Sequence, residues 1–321
     1  NDVCFRTNFG TVGEDGKIVD RRAGRISSGQ DELEEALTQL KSKKFPDVEV
    51  RFKRSTEHRG ALCIRGSELG GNVTPTDPHE LGIPIPDSTG RDEPSKKTAA
   101  VLNEVTRQAR EILVDHPVNR RRKEDGKLPA NAILSRGSAK YPHLPSVEDR
   151  YGVTATVVAA GALYIGVARV AGMEFKPVEG ATGTVDSNIL NKAKMAVSEL
   201  EDGKDTVFVH FKGADNASHD HNAEAKVKYI EKVDRTIGWL KDNLDWEETH
   251  ISFAGDHSTP IQYGDHVADP VSVMIAGPNV RKDGVTTFDE YSCMEGGLGR
   301  FSGNLLPMTL SYSNQLPKFG A

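Results

Sequence analysis

The sequence predicts an α/β protein: a mostly parallel, helix-wrapped sheet in residues 126–321 and a smaller α/β domain in residues 1–125. Two observations carry that class. Short apolar runs bounded by turns alternate with helical patterns in the second part, the order that builds parallel sheets covered by helices. In the first part, period-two strand patterns and amphipathic helices are separated by long polar stretches. The boundary is placed at the charged segment Asn119 to Lys127, expected as a loop.

Residues 2–12 alternate like a strand, and Lys17 to Asp20 continues it as a hairpin through Gly13-Glu14-Asp15-Gly16. Gln30 to Lys41 places Leu33, Ala36, Leu37 and Leu40 on one helical face. Val48 to Lys53 and Ala61 to Arg65 read as strands around His58-Arg59. Residues 71–97, rich in Pro, Asp, Thr and Gly, read as a long irregular loop, and Lys97 to Ile112 as a helix. Five short apolar runs follow: Ala130 to Leu134, Ala155 to Ala160, Thr206 to Phe211, Thr249 to Ala254 and Val271 to Ala276. They are expected as strands buried on both faces. Gly161 to Ala171, Ser187 to Glu201 and Ala223 to Leu244 are the helices between them.

Composition narrows the function classes. A net charge of −6 over 321 residues argues against nucleic acid as the partner. No stretch reaches the roughly 18 apolar residues of a membrane span, and the first residues lack a secretory apolar core. Three scattered cysteines, Cys4, Cys63 and Cys293, fit free thiols in a reducing cytosol, so a cytoplasmic enzyme is expected. The chain opens without Met on a strand pattern already under way, from which a missing upstream segment is expected.

Six of the ten histidines lie between His210 and His266. Asp215 and His219 follow one expected strand, and Asp256-His257 follows another. His266 sits on the loop before a third. Ligand sites in such folds collect beyond the carboxyl ends of the strands. Carboxylate and imidazole suit a borderline divalent cation, and five such groups exceed one closed tetrahedral site. They suit two adjacent ions of the kind used in phosphoryl transfer. His210 and His221 are left out of the set, as a core residue and an exposed one.

The runs Lys212-Gly213-Ala214-Asp215 to His219-Asp220-His221-Asn222, Ala254-Gly255-Asp256-His257-Ser258-Thr259-Pro260, and Asp265-His266 before Asp269-Pro270-Val271 resemble the archaeal-type cofactor-independent phosphoglycerate mutases of the alkaline phosphatase superfamily. Gly296 to Arg300, Gly180 to Gly183, Phe5 to Phe9, Asp20 to Arg25, Glu57 to Gly60 and Thr76 to His79 extend the resemblance over nearly the whole chain. The resemblance implies an alkaline-phosphatase-like, three-layer sheet-and-helix domain carrying an inserted substrate domain. It implies interconversion of 3-phosphoglycerate and 2-phosphoglycerate through a phosphoserine, in glycolysis and gluconeogenesis. Asp215, His219 and His266 would hold one metal, and Asp256 and His257 the other, with manganese first among manganese, zinc, cobalt and magnesium. Arg6, Arg21, Arg22, Arg25, His58, Arg59, Asp77 and His79 would bind the phosphate and carboxylate of phosphoglycerate, which forked guanidinium groups suit.

Two departures accompany the resemblance. The family supplies a further metal-binding Asp and the nucleophilic Ser from a segment preceding the insert; this chain starts after that point, so the nucleophile is expected outside it. Ile165 stands where relatives often carry a lysine, which counts against phosphate binding at that position. A phosphatase or phosphotransferase of the same superfamily, or an inactive metal- and sugar-phosphate-binding chain, are the alternative readings.

Overall fold

The protein is described by a computed structural model covering residues 2–303 and 305–316. Its chain divides into two compact units, Asn1–His143 and Leu144–Ala321.

The first unit is built on an antiparallel sheet of β1 (Val3–Val12), β2 (Ile18–Asp20), β3 (Glu49–Arg54), β4 (Arg59–Arg65) and β5 (Ala132–Lys140), crossed by α1 (Gln30–Leu37), α2 (Glu93–Val114) and α3 (Pro117–Glu124). The order is β2-β1-β4-β3, with β5 also on β1. Alternation sets the two faces: Val3, Phe5 and Phe9 point into the core, while Cys4 and Arg6 are exposed on the other side. Leu62 and Ile64 of β4 join that core with Leu33, Leu102 and Val105 of the helices. Fully burying such a side chain is worth about 1.5–3 kcal/mol. The hairpin forms as expected, closed by the Gly13 N–H to the Lys17 carbonyl at 2.9 Å, with Gly16 at φ +79° supplying the turn.

Three expectations are corrected here. The strand expected at Ala130 to Leu134 in the second domain belongs to β5 and pairs antiparallel with β1, so the first unit runs to His143 rather than to 125. The segment expected as a charged loop is α3: Pro117 starts it, the His116 ring caps the Val118 N–H, and Arg122 lies buried. Its other charges look outward on a short helix, which hid the helical period. The irregular segment ends earlier than expected, because Asp92 caps Ser95 and α2 begins at Glu93.

The second unit holds α4 (Val147–Tyr151), β6 (Ala155–Val158), α5 (Ala162–Val170), β7 (Glu174–Phe175), α6 (Ile189–Glu201), β8 (Thr206–Val209), α7 (Gly213–His219), α8 (Ala223–Asn243), β9 (Ile251–Ala254), β10 (Val273–Ala276), α9 (Glu290–Cys293) and α10 (Leu305–Tyr312). The β7-β6-β8 sheet is parallel, as the alternation predicts, whereas β9 and β10 pair antiparallel with each other. Only β6 is buried throughout; β8, β9 and β10 are largely half-buried, against the expectation of two covered faces. β8 ends its sheet's order among the described residues, so part of its surface meets no neighbouring strand. No described helix is long and apolar enough to cross a membrane.

Candidate metal centre

β8 runs directly into α7, whose first turn carries Asp215 and whose last residue is His219. A four-residue spacing on a helix brings both side chains to one side. Gly213 opens α7 because a Cβ there would lie 2.3 Å from the buried Tyr229 ring of α8. The loop after β9 carries Asp256 and His257. It is tied to the His266 loop by the bridge between Ser258 and Val267.

These elements gather Asp215, His257 and His266, each offering a ligand atom within 4.8 Å of the others. His219 Nε2 lies 3.2 Å and His266 Nε2 3.3 Å from the same oxygen, Asp215 Oδ1. Thr259 donates to that oxygen from 3.3 Å, and Lys212 pairs with Oδ2. The His257 and His266 rings stack at 3.7 Å, and Asp256 Oδ2 lies 3.4 Å from His257 Nε2.

The proton arrangement tests whether a cation fits. His219 Nδ1 lies 2.7 Å from the Gly264 carbonyl, which can only accept, so Nδ1 carries the hydrogen. His219 Nε2 then faces a carboxylate oxygen 3.2 Å away. A proton on Nε2 or a metal ion between the two atoms satisfies that contact. Ligand atoms about 2.0–2.1 Å from one tetrahedral ion stand about 3.3–3.4 Å apart, close to both imidazole–Asp215 separations. The residues therefore fit a divalent metal, and the Gly264 carbonyl orients His219 in the way outer partners orient metal-bound histidines. Gly264 has φ +61°, and a Cβ there would meet the His221 ring at 2.5 Å. His221 itself bonds the Ile261 carbonyl at 2.7 Å.

Electrostatics favour an ionised Asp215. Burial acts to raise its pKa, but the Lys212 hydrogen bond and charge, with His219 and His257, outweigh it and hold the carboxyl below its ordinary range. His210, which stacks on Tyr164 at 3.7 Å, is pushed down to about 4, chiefly by burial. Lys212, Thr259 and Tyr164 were not among the residues expected from sequence. Lys212 and Thr259 were legible as members of the runs Lys212-Gly213-Ala214-Asp215 and Ala254-Gly255-Asp256-His257-Ser258-Thr259-Pro260; Tyr164 had no local signal. Ile165 packs with Val157, Ala159 and Ala168, so its side chain belongs to a core cluster.

In the first unit, the expected substrate residues fall into two groups. Arg21 and Asp77 satisfy each other in a bidentate pair at 2.6 and 2.8 Å, with Asp77 fully buried. Arg6, Arg22, Arg25 and Arg59 act together on His58, whose pKa is pushed down to about 4 by burial first and then by those charges. The His58 ring is buried, and Nδ1 has no hydrogen-bond partner. Asp20 accepts the Arg22 and Gly24 N–H groups, and buried Arg122 of α3 donates to the Ala23 carbonyl at 3.0 Å, which pins the loop carrying Arg22 and Arg25. Arg25, Glu57 and His79 all have positive φ, a strained conformation that clusters at functional sites. Arg136 was missed: it faces Arg6 across β1 and β5, and its Nη1 lies 2.7 Å from His79 Nε2. The apolar run expected as that strand ends at Leu134, two residues before Arg136 and six before the strand's end at Lys140.

Comparison with known proteins agrees with this chemistry. Residues 79–311 match the family model of the metalloenzyme superfamily, and residues 1–119 that of 2,3-bisphosphoglycerate-independent phosphoglycerate mutase. The chain is 42% identical to the 2,3-bisphosphoglycerate-independent phosphoglycerate mutase of Methanococcus aeolicus, over all of this chain and 78% of that protein. It is 43% identical to the enzyme of that name from Thermococcus kodakarensis, with the same coverage. A solved structure from Pyrococcus horikoshii superposes with a TM-score of 0.84 at 35% identity, over 100% of this chain and 76% of the other. The cofactor-independent phosphoglycerate mutase from Thermoplasma acidophilum gives 0.68 at 33% identity, over 97% and 77%.

Proposed function

The chain belongs to the 2,3-bisphosphoglycerate-independent phosphoglycerate mutase family, and we infer that it interconverts 3-phosphoglycerate and 2-phosphoglycerate by moving the phosphoryl group between the two hydroxyls of glycerate. The observation that carries the chemistry is the pair of imidazole nitrogens aimed at Asp215 Oδ1 at 3.2 and 3.3 Å. A bound divalent metal supplies Lewis acidity there, polarising phosphoryl oxygens and activating a hydroxyl. We propose two ions, manganese first: Asp215, His219 and His266 hold one, and Asp256 and His257 the second, with His257 close enough to serve either. Lys212 keeps Asp215 ionised, and Thr259, bonded to His257 Nδ1 at 3.0 Å, orients that ring. The transfer runs through a phosphoserine, as the resemblance implies; no serine of this chain is assigned to it.

The first unit is the substrate-binding domain in this reading. Arg6, Arg22, Arg25, Arg59 and Arg136 receive the carboxylate and phosphate, since guanidinium forks match both. Neutral His58 adds a polar group without a charge, His79 orients Arg136, and the Arg21–Asp77 pair holds the loop. The proposal carries a cytoplasmic location, where the charged intermediates of glycolysis are found.

The test is conversion of 3-phosphoglycerate to 2-phosphoglycerate by the purified chain with manganese, against a chelated control. Metal-dependent isomer formation is expected. Release of inorganic phosphate without isomer would turn the assignment to a phosphatase. Manganese uptake with neither product would leave a metal- and sugar-phosphate-binding chain.

A further inference from the structure

Cys4 of β1 and Cys63 of β4 stand directly opposite one another in an antiparallel pair. The Phe9 N–H donates to the His58 carbonyl at 2.7 Å, which fixes the phase of that ladder. Bonded and non-bonded pairs alternate along an antiparallel ladder. Cys4–Cys63 lies an odd number of steps from Phe9–His58, so it is a non-hydrogen-bonded pair. Such pairs bring the Cα atoms to about 4.5 Å with the side chains on one face. That separation lies inside the roughly 4.4–6.8 Å window of protein disulfides.

The face is the accessible one. Cys4 is exposed and Cys63 half-buried, while their neighbours Phe5, Leu62 and Ile64 fill the core behind. Cys63 Sγ is held on this face, 3.8 Å from Asp2 Oδ2, and Arg65 grips the same carboxylate. Burial first, then Cys4, pushes the Cys63 thiol up to about 12, which leaves the first attack to the exposed Cys4. Arg6 follows Cys4 on the same face, and Arg59 precedes Cys63 by four residues on β4.

We propose that Cys4 and Cys63 form a reversible cross-strand disulfide site that responds to low-molecular-weight disulfides such as oxidised glutathione. Cys4, the exposed thiol, attacks first as its thiolate; the S–S bond of the oxidant breaks, and one glutathione leaves. Cys63 then attacks the sulfur of Cys4 in the mixed disulfide and expels the second glutathione. The two cysteine protons end on the two departing thiols. The protein is oxidised by two electrons and one glutathione disulfide is reduced to two thiols. The bridge staples β1 to β4 two residues from Arg6. Disulfides in reducing compartments are mostly of this transient, redox-sensing kind.

The experiment treats the reduced full chain with oxidised glutathione and reads intact mass and disulfide-linked peptides. The parent is expected to lose two hydrogens, to yield a peptide joining Cys4 to Cys63, and to revert with dithiothreitol. Cys63→Ser should stop at a stable glutathione adduct on Cys4, and Cys293→Ser should behave as the parent. The bridged form should melt several degrees higher, since it closes a long loop. A parent that stops at the Cys4 adduct, links Cys293 instead, or does not react overturns the proposal.

Discussion

Lys192 of α6, only 1% exposed, directs its ammonium to a neutral group: Nζ donates to the His210 carbonyl at 2.8 Å, where β8 turns toward α7. Burial pulls its pKa down to about 8 from the ordinary 10.5. The native state therefore binds fewer protons than the unfolded chain between those values, and stability rises with pH across that window. The penalty is present in full below about 8 and relieved by 10.5. At about 1.4 kcal/mol per unit it is on the order of 3 kcal/mol. Lys192→Met should flatten this rise, and urea unfolding at pH 8 and pH 10 of both proteins measures it. Parallel slopes in the two proteins would refute the assignment.

His58 gives the opposite end of the pH scale. Its folded value of about 4 lies below the ordinary 6.5, so the native state resists protonation and stability is lost as pH falls from 6.5 toward 4. Its imidazole signals in nuclear magnetic resonance should stay in the neutral position down to about pH 5. A midpoint near 6.5 would show that neither burial nor the guanidiniums act on it.

Asp77→Ala should destabilise the first unit by roughly 3–5 kcal/mol, because it leaves Arg21 without its buried partner. Burial acts to raise the Asp77 pKa, but the Arg21 hydrogen bond, the His79 N–H and the Arg21 charge outweigh it, so the carboxyl titrates below 3.8. Its contribution is present above 3.8 and fades as pH falls through the lower folded value. Denaturant unfolding of the variant at neutral pH checks the magnitude; a change under about 1 kcal/mol would place the pair among weak surface bridges.

His266→Ala and Asp215→Asn should each weaken manganese binding beyond detection in calorimetry. Gly264→Ala should cost about 10–100-fold, because it disturbs the carbonyl that orients His219 without touching a ligand. Manganese at 100 times its dissociation constant should stabilise the parent by about 2.7 kcal/mol and Asp215→Asn not at all. Unchanged affinity in Gly264→Ala would remove the carbonyl from the site.

Much of the second unit was legible because its elements are punctuated. The α8 period through Val227, Ile230 and Val233 and the short β6 and β8 runs stand between turns, and the Asp and His clusters sit at their ends. Pairing direction was not legible: nothing in the apolar run at 273–276 distinguishes a strand that lies antiparallel to β9 from one in a parallel sheet. The boundary at 125 failed for a related reason. Ala132 to Leu134 has the same texture as the later strands, and only its partner, β1, assigns it to the first unit. At the candidate metal centre the clustered carboxylate and imidazole groups were readable in the chain. The Gly264 carbonyl was not, since a backbone contact depends on loop geometry rather than on residue type. Arg136 escaped because β5 turns polar after Ser135, where it leaves the core.

Arg6 and Arg136 face each other on adjacent strands, and burial together with Arg136, Arg59 and Arg22 holds the Arg6 guanidinium below its ordinary value. Like charges so placed store repulsion in the folded state, and any bound anion releases it. On the proposed reading the unit is thereby a thermometer for its own ligand. Its melting temperature should climb with phosphorylated three-carbon acids, and less with inorganic phosphate, in direct measure of how well each anion bridges the guanidiniums.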